Sequence, residues 1–198
     1  IDHCLVGSEM CIRDRILLAP SWASYEPMLE FIGAKPVHVP VRKDNFHPDL
    51  DAIREAVTDR TRMILLNSPC NPTGAVFTPE EIQGILQIAV DNDLWIVSDE
   101  IYSRMVWVDW PHVSPASLPG GMERTIVVNG WSKSWAMTGM RLGFLTGPPN
   151  AVKAAIKSQA NSASHVPTFM MEAARVALGC DDSVAVSYTH LTLPTSHN

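Results

Sequence analysis

The feature that most constrains the fold is an alternation of short β-branched runs with longer segments of helical spacing. The apolar runs predict strands at residues 16–19, 36–41, 62–66, 94–98, 125–128 and 142–146. Apolar spacing and capping residues predict helices near 24–33, 49–57, 78–91, 150–162 and 167–178. Strands that alternate with helices are typical of parallel crossovers. We therefore predict an α/β fold of three layers, with a mostly parallel sheet and helices on both faces.

Composition narrows the class of protein. The chain has 198 residues, of which 46% are hydrophobic and 18% are charged, as in an ordinary globular domain. A formal charge of -6 argues against nucleic-acid binding, which needs a basic face. The sequence has neither an apolar run of membrane length nor the pattern of a secretory leader. We expect a cytoplasmic protein with no nucleic-acid or membrane partner.

The two ends of the chain are related to each other at the DNA level. Residues 10–14 can be encoded by ATG TGT ATA AGA GAC, and the reverse complement of that DNA encodes residues 186–190. Selection on a fold does not produce such a relation. The ends resemble translated adapters of sequencing libraries; the alternative is a pair of ordinary terminal loops. We predict adapter-derived residues at 1–15 and 185–198 around a partial domain at 16–184.

A lysine follows the fifth predicted strand in a turn of small residues. Lys133 lies between Ser132 and Ser134, and Arg141 follows eight positions later. An amine in such a turn can form a Schiff base with an aldehyde cofactor, and a fixed cation nearby can hold the cofactor's phosphate. The alternative is a solvated surface lysine.

Other polar and aromatic side chains also stand at strand ends, where ligands of such sheets collect. Asn71 lies in a turn rich in proline and either shapes that turn or points its amide into a cleft. Asp99 ends a strand that we expect to be buried on both faces, and it either caps the next helix or pairs with a cation. In the second case the Tyr102 hydroxyl, three residues along, is expected on the same side. Trp22 either packs in the core or forms a stacking platform.

Several other features predict no chemistry. The histidines lack the spacing of metal ligands, so we expect no metal site. The four cysteines form no close pair, and we expect no disulfide framework. Residues 109–121 are the least regular part of the chain, and we expect a surface loop there.

Three motifs in order resemble those of the class I and II aminotransferases, the fold type I pyridoxal-phosphate enzymes. They are the turn at 71–74, Asp99 with Tyr102, and the segment from Ser132 to Gly143. The resemblance covers 16–184 and implies a partial cofactor-binding large domain. Trp131 departs from the pattern, because the family usually has a smaller apolar residue there, and this departure concerns local packing.

The resemblance also implies roles for these side chains toward pyridoxal 5'-phosphate. Lys133 would form the Schiff base and then move a proton at the substrate's Cα. Asp99 would hold the pyridine nitrogen protonated. Asn71 and Tyr102 would bond the phenolic oxygen.

The phosphate and the ring face complete the implied site. Arg141, helped by Ser132, would bind the phosphate. Trp22 would stack on the ring, and Trp22 and Asn71 would also contact the substrate.

The implied activity is transfer of an amino group from an amino acid to a 2-oxo acid. The resemblance further implies a homodimeric parent protein, with residues 150–168 near the interface. We expect the chain to lack the family's glycine-rich phosphate turn and its C-terminal small domain, so that the parent is active and the fragment is not. The alternatives are a carbon-sulfur lyase on the same scaffold, the aminotransferase-like domain of a transcription regulator, and an α/β domain without a site.

Overall fold

A computed structural model describes residues 13–180. Its centre is one sheet with the strand order β2-β1-β3-β4-β5-β6. In chain order the strands are β1 (Asp14–Ala19), β2 (Lys35–Pro40), β3 (Thr61–Asn67), β4 (Trp95–Asp99), β5 (Thr125–Gly130) and β6 (Gly143–Thr146). Strands β1 to β5 pair in parallel, whereas β6 runs antiparallel to β5. The prediction of a mostly parallel sheet is confirmed.

The antiparallel strand has a simple cause. A parallel return usually needs a helix that crosses the face of the sheet. The connection from β5 to β6 contains only turns and a short 3-10 helix, Thr138–Met140. The chain therefore doubles back, and the turn that carries Lys133 is held between two adjacent strands.

Five α-helices accompany the sheet, close to their predicted positions. They are α1 (Tyr25–Phe31), α2 (Leu50–Ala56), α3 (Pro79–Asp91), α4 (Pro149–Ser162) and α5 (Thr168–Leu178). Helix α3 begins with the capping box that its sequence predicts. The Thr78 hydroxyl accepts from the Glu81 amide, and the Glu81 carboxylate accepts from the Thr78 amide.

Two apolar clusters lie on opposite faces of the sheet. Side chains of β1, β3 and β4 pack with α2 and α3 on one face, where Ile53, Ile64 and Ile85 are fully buried. On the other face Leu17 and Leu65 pack with Tyr25 of α1. Because successive residues of a strand point to opposite faces, both layers are needed to cover these strands. The three-layer prediction is confirmed.

The helices do not cover the two faces of the sheet equally. The prediction that β4 is buried on both faces is therefore wrong. Ile96 and Ser98 are buried, but Trp95, Val97 and Asp99 on the other face are only partly buried. The apolar contacts of α1 are with Leu17 of β1 and Leu65 of β3, and an open cleft lies beside the end of β4. The exposed face of β4 is therefore the face that carries Asp99.

The segment at 109–121 also differs from the expected surface loop. It contains a 3-10 turn, Pro115–Ser117, whose first residue is buried. The Trp110 indole donates to the Val76 oxygen over 3.2 Å, and Ser114 donates to Glu100 over 2.6 Å. The segment is thus held to the rest of the domain by individual side chains.

The predicted adapter-derived ends lie almost wholly outside the described residues. Residues 13–15 are the exception, and among them Asp14 begins β1 with its side chain buried. The proposed boundary at residue 15 therefore falls within β1.

Candidate functional site

The carboxyl ends of β3, β4 and β5 open onto one cleft of about 550 Å³. This is the edge at which a parallel sheet collects its ligands. All seven side chains that the sequence analysis selected line this cleft: Trp22, Asn71, Asp99, Tyr102, Ser132, Lys133 and Arg141. Their convergence depends on strand order, because four separate loops contribute them.

Asp99 is held at the floor of the cleft. It ends β4, in register with Asn67 of β3 and Val128 of β5. One carboxylate oxygen, Oδ1, accepts from the Ile101 amide over 3.1 Å. The other, Oδ2, accepts from the Tyr25 hydroxyl over 2.6 Å. Residues 101–104 form turns, so Asp99 caps no helix there; its carboxylate bonds to this turn and lines the cleft.

Tyr25 is a residue that the sequence analysis missed. It is 6% exposed, and it lies in α1 within a pattern of helical spacing. Burial, reinforced by the neighbouring Asp99 carboxylate, raises the pKa of the Tyr25 phenol well above its ordinary value. The sequence offers one clue, its position three residues after Trp22. That clue is weak, because an aromatic residue in a helix is normally interpreted as part of the hydrophobic core.

Asn67 is the second residue that was missed, although it begins the turn that carries Asn71. Its side chain is buried and donates to the Asp99 main-chain oxygen over 3.0 Å. It also accepts from the Asn71 amide over 2.8 Å. One side-chain amide therefore ties the turn after β3 to the end of β4, and Asn71 is left beside the cleft.

Lys133 lines the cleft from the turn after β5. Its Nζ is 5.8 Å from the centroid of the Tyr102 ring, within range of a cation-π contact. The next residue, Ser134, is buried and donates to the Ile101 oxygen over 3.4 Å. The turn is thus joined to the segment after β4, and this places the lysine amine and the tyrosine on the same side.

Arg141 supplies the cation at the rim of the cleft. Its backbone is in the left-handed region, with φ of 53°, just before β6. The guanidinium donates to the Thr138 oxygen over 2.9 Å, which uses one of its five N–H groups. Ser132 is half-buried in the same wall, and Asn129 and Thr138 join the lining without having been predicted.

Trp22 follows β1, lines the cleft and is 43% exposed. Its ring meets the Tyr25 ring edge to face, with centroids 5.3 Å apart and an angle of 88° between the planes. Trp22 is therefore not a core residue. The alternative that it packs in the core accounts only for its contact with the Tyr25 ring.

The unusual Trp131 is accommodated by aromatic packing. Its ring lies 5.5 Å from the Phe144 ring and 6.1 Å from the Trp135 ring, measured between centroids. Trp135 in turn donates to the Ala177 oxygen of α5 over 3.0 Å. Trp131 therefore packs with the Phe144 and Trp135 rings, and Lys133 still lines the cleft.

Glu100 forms a polar cluster directly behind the cleft. It directly follows β4 and is 6% exposed. It accepts from Ser98 over 3.0 Å and from Ser114 over 2.6 Å, and the His112 ring lies 3.4 Å away. This buried carboxylate fixes the segment at 109–121 against the end of β4.

The range 13–180 holds no group of three or more side chains able to bind a metal ion. It also holds no helix long and apolar enough to span a membrane. Cys70 and Cys180, the two cysteines in the range, are both free thiols.

Comparison with known proteins agrees with this geometry. The family model described as aminotransferase class I and II matches residues 2–191. The chain belongs to the class I and II aminotransferases. An aspartate aminotransferase of Musicola paradisiaca is 43% identical over 164 residues, covering 82% of this chain and 41% of that protein. One of Pyrococcus abyssi is 42% identical, covering 88% and 46%.

Solved structures of this aminotransferase family share the fold. An aromatic aminotransferase from Pyrococcus horikoshii matches with a TM-score of 0.86 and 40% identity, over 90% of this chain and 48% of that one. The aspartate aminotransferase from Thermus thermophilus with maleate gives a TM-score of 0.82 and 33% identity, over 91% and 46%. The chain therefore spans about half the length of the relatives that it matches.

Aminotransferases of this family use pyridoxal 5'-phosphate, and the cleft has groups that fit it. The cofactor is a flat ring with a basic nitrogen, a phenolic oxygen, an aldehyde and a phosphate. The cleft offers a carboxylate at Asp99, a phenol at Tyr102, an amine at Lys133 and a guanidinium at Arg141. Each group of the cofactor has a complementary partner among them.

Proposed function

We propose that the parent protein is a pyridoxal-phosphate-dependent aminotransferase, which transfers an amino group from an amino acid to a 2-oxo acid. The observation that carries the proposal is the convergence of Lys133 and Asp99 on one cleft from two different strand ends. A carboxylate and an amine that line the same cleft suit a cofactor that is cationic at one end and electrophilic at the other. The family membership and the names of the relatives support the same activity.

The residues of the cleft would divide the work as follows. The bound cofactor would supply an electron sink for the bond broken at the substrate's Cα. Asp99 would hold the proton on the ring nitrogen. Asn71 and Tyr102 would donate to the phenolic oxygen, and Trp22 would cover one ring face.

Two further contacts complete the proposed site. Arg141 would bind the phosphate through its remaining N–H groups, with the Ser132 hydroxyl beside it. The amine of Lys133 would bind the aldehyde carbon in the resting protein, and after its release it would take and return the proton at Cα as a general base. Trp22 and Asn71 would also meet the substrate.

We also propose the chain's organisation and its assembly. Residues 16–184 would be part of the cofactor-binding domain, and 1–15 and 185–198 would derive from adapters. Sequencing the complete gene tests this. If the two ends belong to the protein, the gene will encode these same residues in frame with 16–184; if they derive from adapters, it will encode other residues there. The family resemblance supports a cytoplasmic homodimer as the parent, and sedimentation of the complete protein would measure its oligomeric state.

The central experiment is covalent trapping of the cofactor. The 198-residue chain is incubated with pyridoxal phosphate, reduced with borohydride and digested, and the labelled peptide is identified by mass. We expect the label on Lys133 and its loss in Lys133→Ala. Lys153 is an exposed lysine of α4 and gives a matched control, since Lys153→Ala should retain the label. Labelling that survives in Lys133→Ala would refute the assignment.

Activity is tested in the complete protein. An amino acid and a 2-oxo acid are supplied together, and the new amino acid and the new 2-oxo acid are quantified. Equal amounts of the two products indicate transfer. Release of ammonia and a thiol in their place would contradict the proposal and indicate a lyase.

A further inference from the structure

We propose that Tyr25 is a positioning residue that fixes the orientation of the Asp99 carboxylate toward the ring nitrogen of the cofactor. The inference rests on the proposed function and adds a residue to it. It begins from the hydrogen bond of 2.6 Å that the Tyr25 hydroxyl donates to Asp99 Oδ2.

A carboxylate at the end of a short side chain does not hold its own orientation. The last torsion of aspartate joins sp³ and sp² carbons, and its energy wells are broad. In this cleft the two oxygens are held separately, Oδ1 by the Ile101 amide and Oδ2 by Tyr25. Contacts at both oxygens remove the rotation that one contact would leave.

The same arrangement leaves the carboxylate able to bind a further donor. An ionised carboxylate has about four lone-pair positions, and the two hydrogen bonds occupy two of them. Asp99 lines the cleft, so that the remaining positions are available to a protonated ring nitrogen. Tyr25 thus orients the acceptor without saturating it.

Tyr25 is itself held rigidly. Its ring is buried against Leu17 and Leu65 of the sheet, and the Trp22 ring packs on it at 88°. The pKa of its phenol lies well above the ordinary value, so the hydroxyl remains a donor at every working pH. One residue therefore connects the proposed ring platform, Trp22, to the proposed partner of the ring nitrogen.

The first test measures cofactor affinity in the 198-residue chain. Tyr25→Phe keeps the ring and removes the hydroxyl, and we expect the dissociation constant for pyridoxal phosphate to rise about tenfold. Leu29 is the matched control, since it lies in the same helix with the same 6% exposure. Leu29→Val should lower the melting temperature and leave the dissociation constant unchanged. Equal dissociation constants for Tyr25→Phe and the unaltered chain, or an equal rise in Leu29→Val, would overturn the proposal.

The second test asks whether Tyr25 acts through Asp99. Unfolding of the cofactor-free chain is measured for Tyr25→Phe, Asp99→Ala and the double variant. We expect the two changes to be non-additive, with a coupling of about tenfold in the unfolding equilibrium constant. Additive effects would overturn the inference. If the unaltered chain binds no cofactor, that result counts against the proposed function. The unfolding measurements would still show whether Tyr25 and Asp99 are coupled, because they need no cofactor.

Discussion

The side-chain amide of Asn67 donates to the main-chain oxygen of Asp99 over 3.0 Å, and the two residues are also register partners on adjacent parallel strands. The contact therefore adds a side-chain hydrogen bond at the last register pair of β3 and β4. It joins the turn after β3 to the turn after β4 at the point where both enter the cleft. Several predictions about the cleft depend on such contacts, and they can be measured individually.

The first prediction concerns Asn67. Asn67→Ala should lower the free energy of unfolding by about 2 kcal/mol, because it leaves the Asn71 amide and the Asp99 oxygen without their buried partner. Denaturant titration measures the change. Asn71→Ala is the control, since its side chain lies at the cleft, and it should cost less than about 1 kcal/mol. A larger loss in Asn71→Ala than in Asn67→Ala would contradict the bridging role.

The second prediction concerns the pH dependence of stability. The pKa of Tyr25 is raised in the folded chain, so that above about pH 10 the unfolded chain loses a proton that the folded chain keeps. Stability should then fall as pH rises, by at most about 1.4 kcal/mol per pH unit from this group. The Tyr25→Phe chain should lack this contribution.

Ultraviolet titration checks the same group directly. The chain has three tyrosines. In the folded chain at about pH 11, Tyr25→Phe should barely change the phenolate absorbance, because Tyr25 is still protonated there. In denaturant, where all the tyrosines titrate, the same substitution should lower the phenolate absorbance by the contribution of one tyrosine. Loss of that contribution in the folded chain as well would show that Tyr25 titrates normally.

The third prediction concerns the cluster around Glu100. Glu100→Ala removes the acceptor of two serine hydroxyls and the neighbour of the His112 ring, all in a buried setting. We expect unfolding to become easier by about 2 to 4 kcal/mol, as measured by denaturant titration. The exposed Glu123 provides the comparison, since Glu123→Ala should change stability by less than about 0.5 kcal/mol. Similar effects at both positions would rule out the role of the cluster.

The fourth prediction concerns the close approach of β5 and β6. A Cβ at Gly130 would lie 2.6 Å from the Leu142 oxygen and 3.0 Å from the Gly143 Cα. Backbone atoms cannot move aside as a side chain can, so Gly130→Ala should destabilise the fold by about 1 to 3 kcal/mol and displace the turn that carries Lys133.

Gly139 allows a matched measurement, because a Cβ there meets no atom within 4 Å. Gly139→Ala should leave the melting temperature and the trapping of cofactor on Lys133 nearly unchanged. Gly130→Ala should reduce both. Normal trapping in Gly130→Ala would mean that the turn tolerates the added methyl group.

Local sequence determined the elements and their approximate bounds. Apolar period, proline positions and the capping box at Thr78 act over a few residues, and they predict α3 at 78–91 where the structure has Pro79–Asp91. The positions of Asn71, Asp99 and Lys133 just after apolar runs were also visible in the sequence. Their roles came from the family resemblance and remain predictions.

Only the tertiary structure decided what supports these side chains. The contact of Tyr25 with Asp99 spans 74 positions of sequence, and the contact of Asn67 with Asp99 spans 32. No local pattern encodes either of them, because each depends on strand order and on which face a helix covers. The sequence thus determined which groups stand at the strand ends, and packing between distant elements decided how they are held.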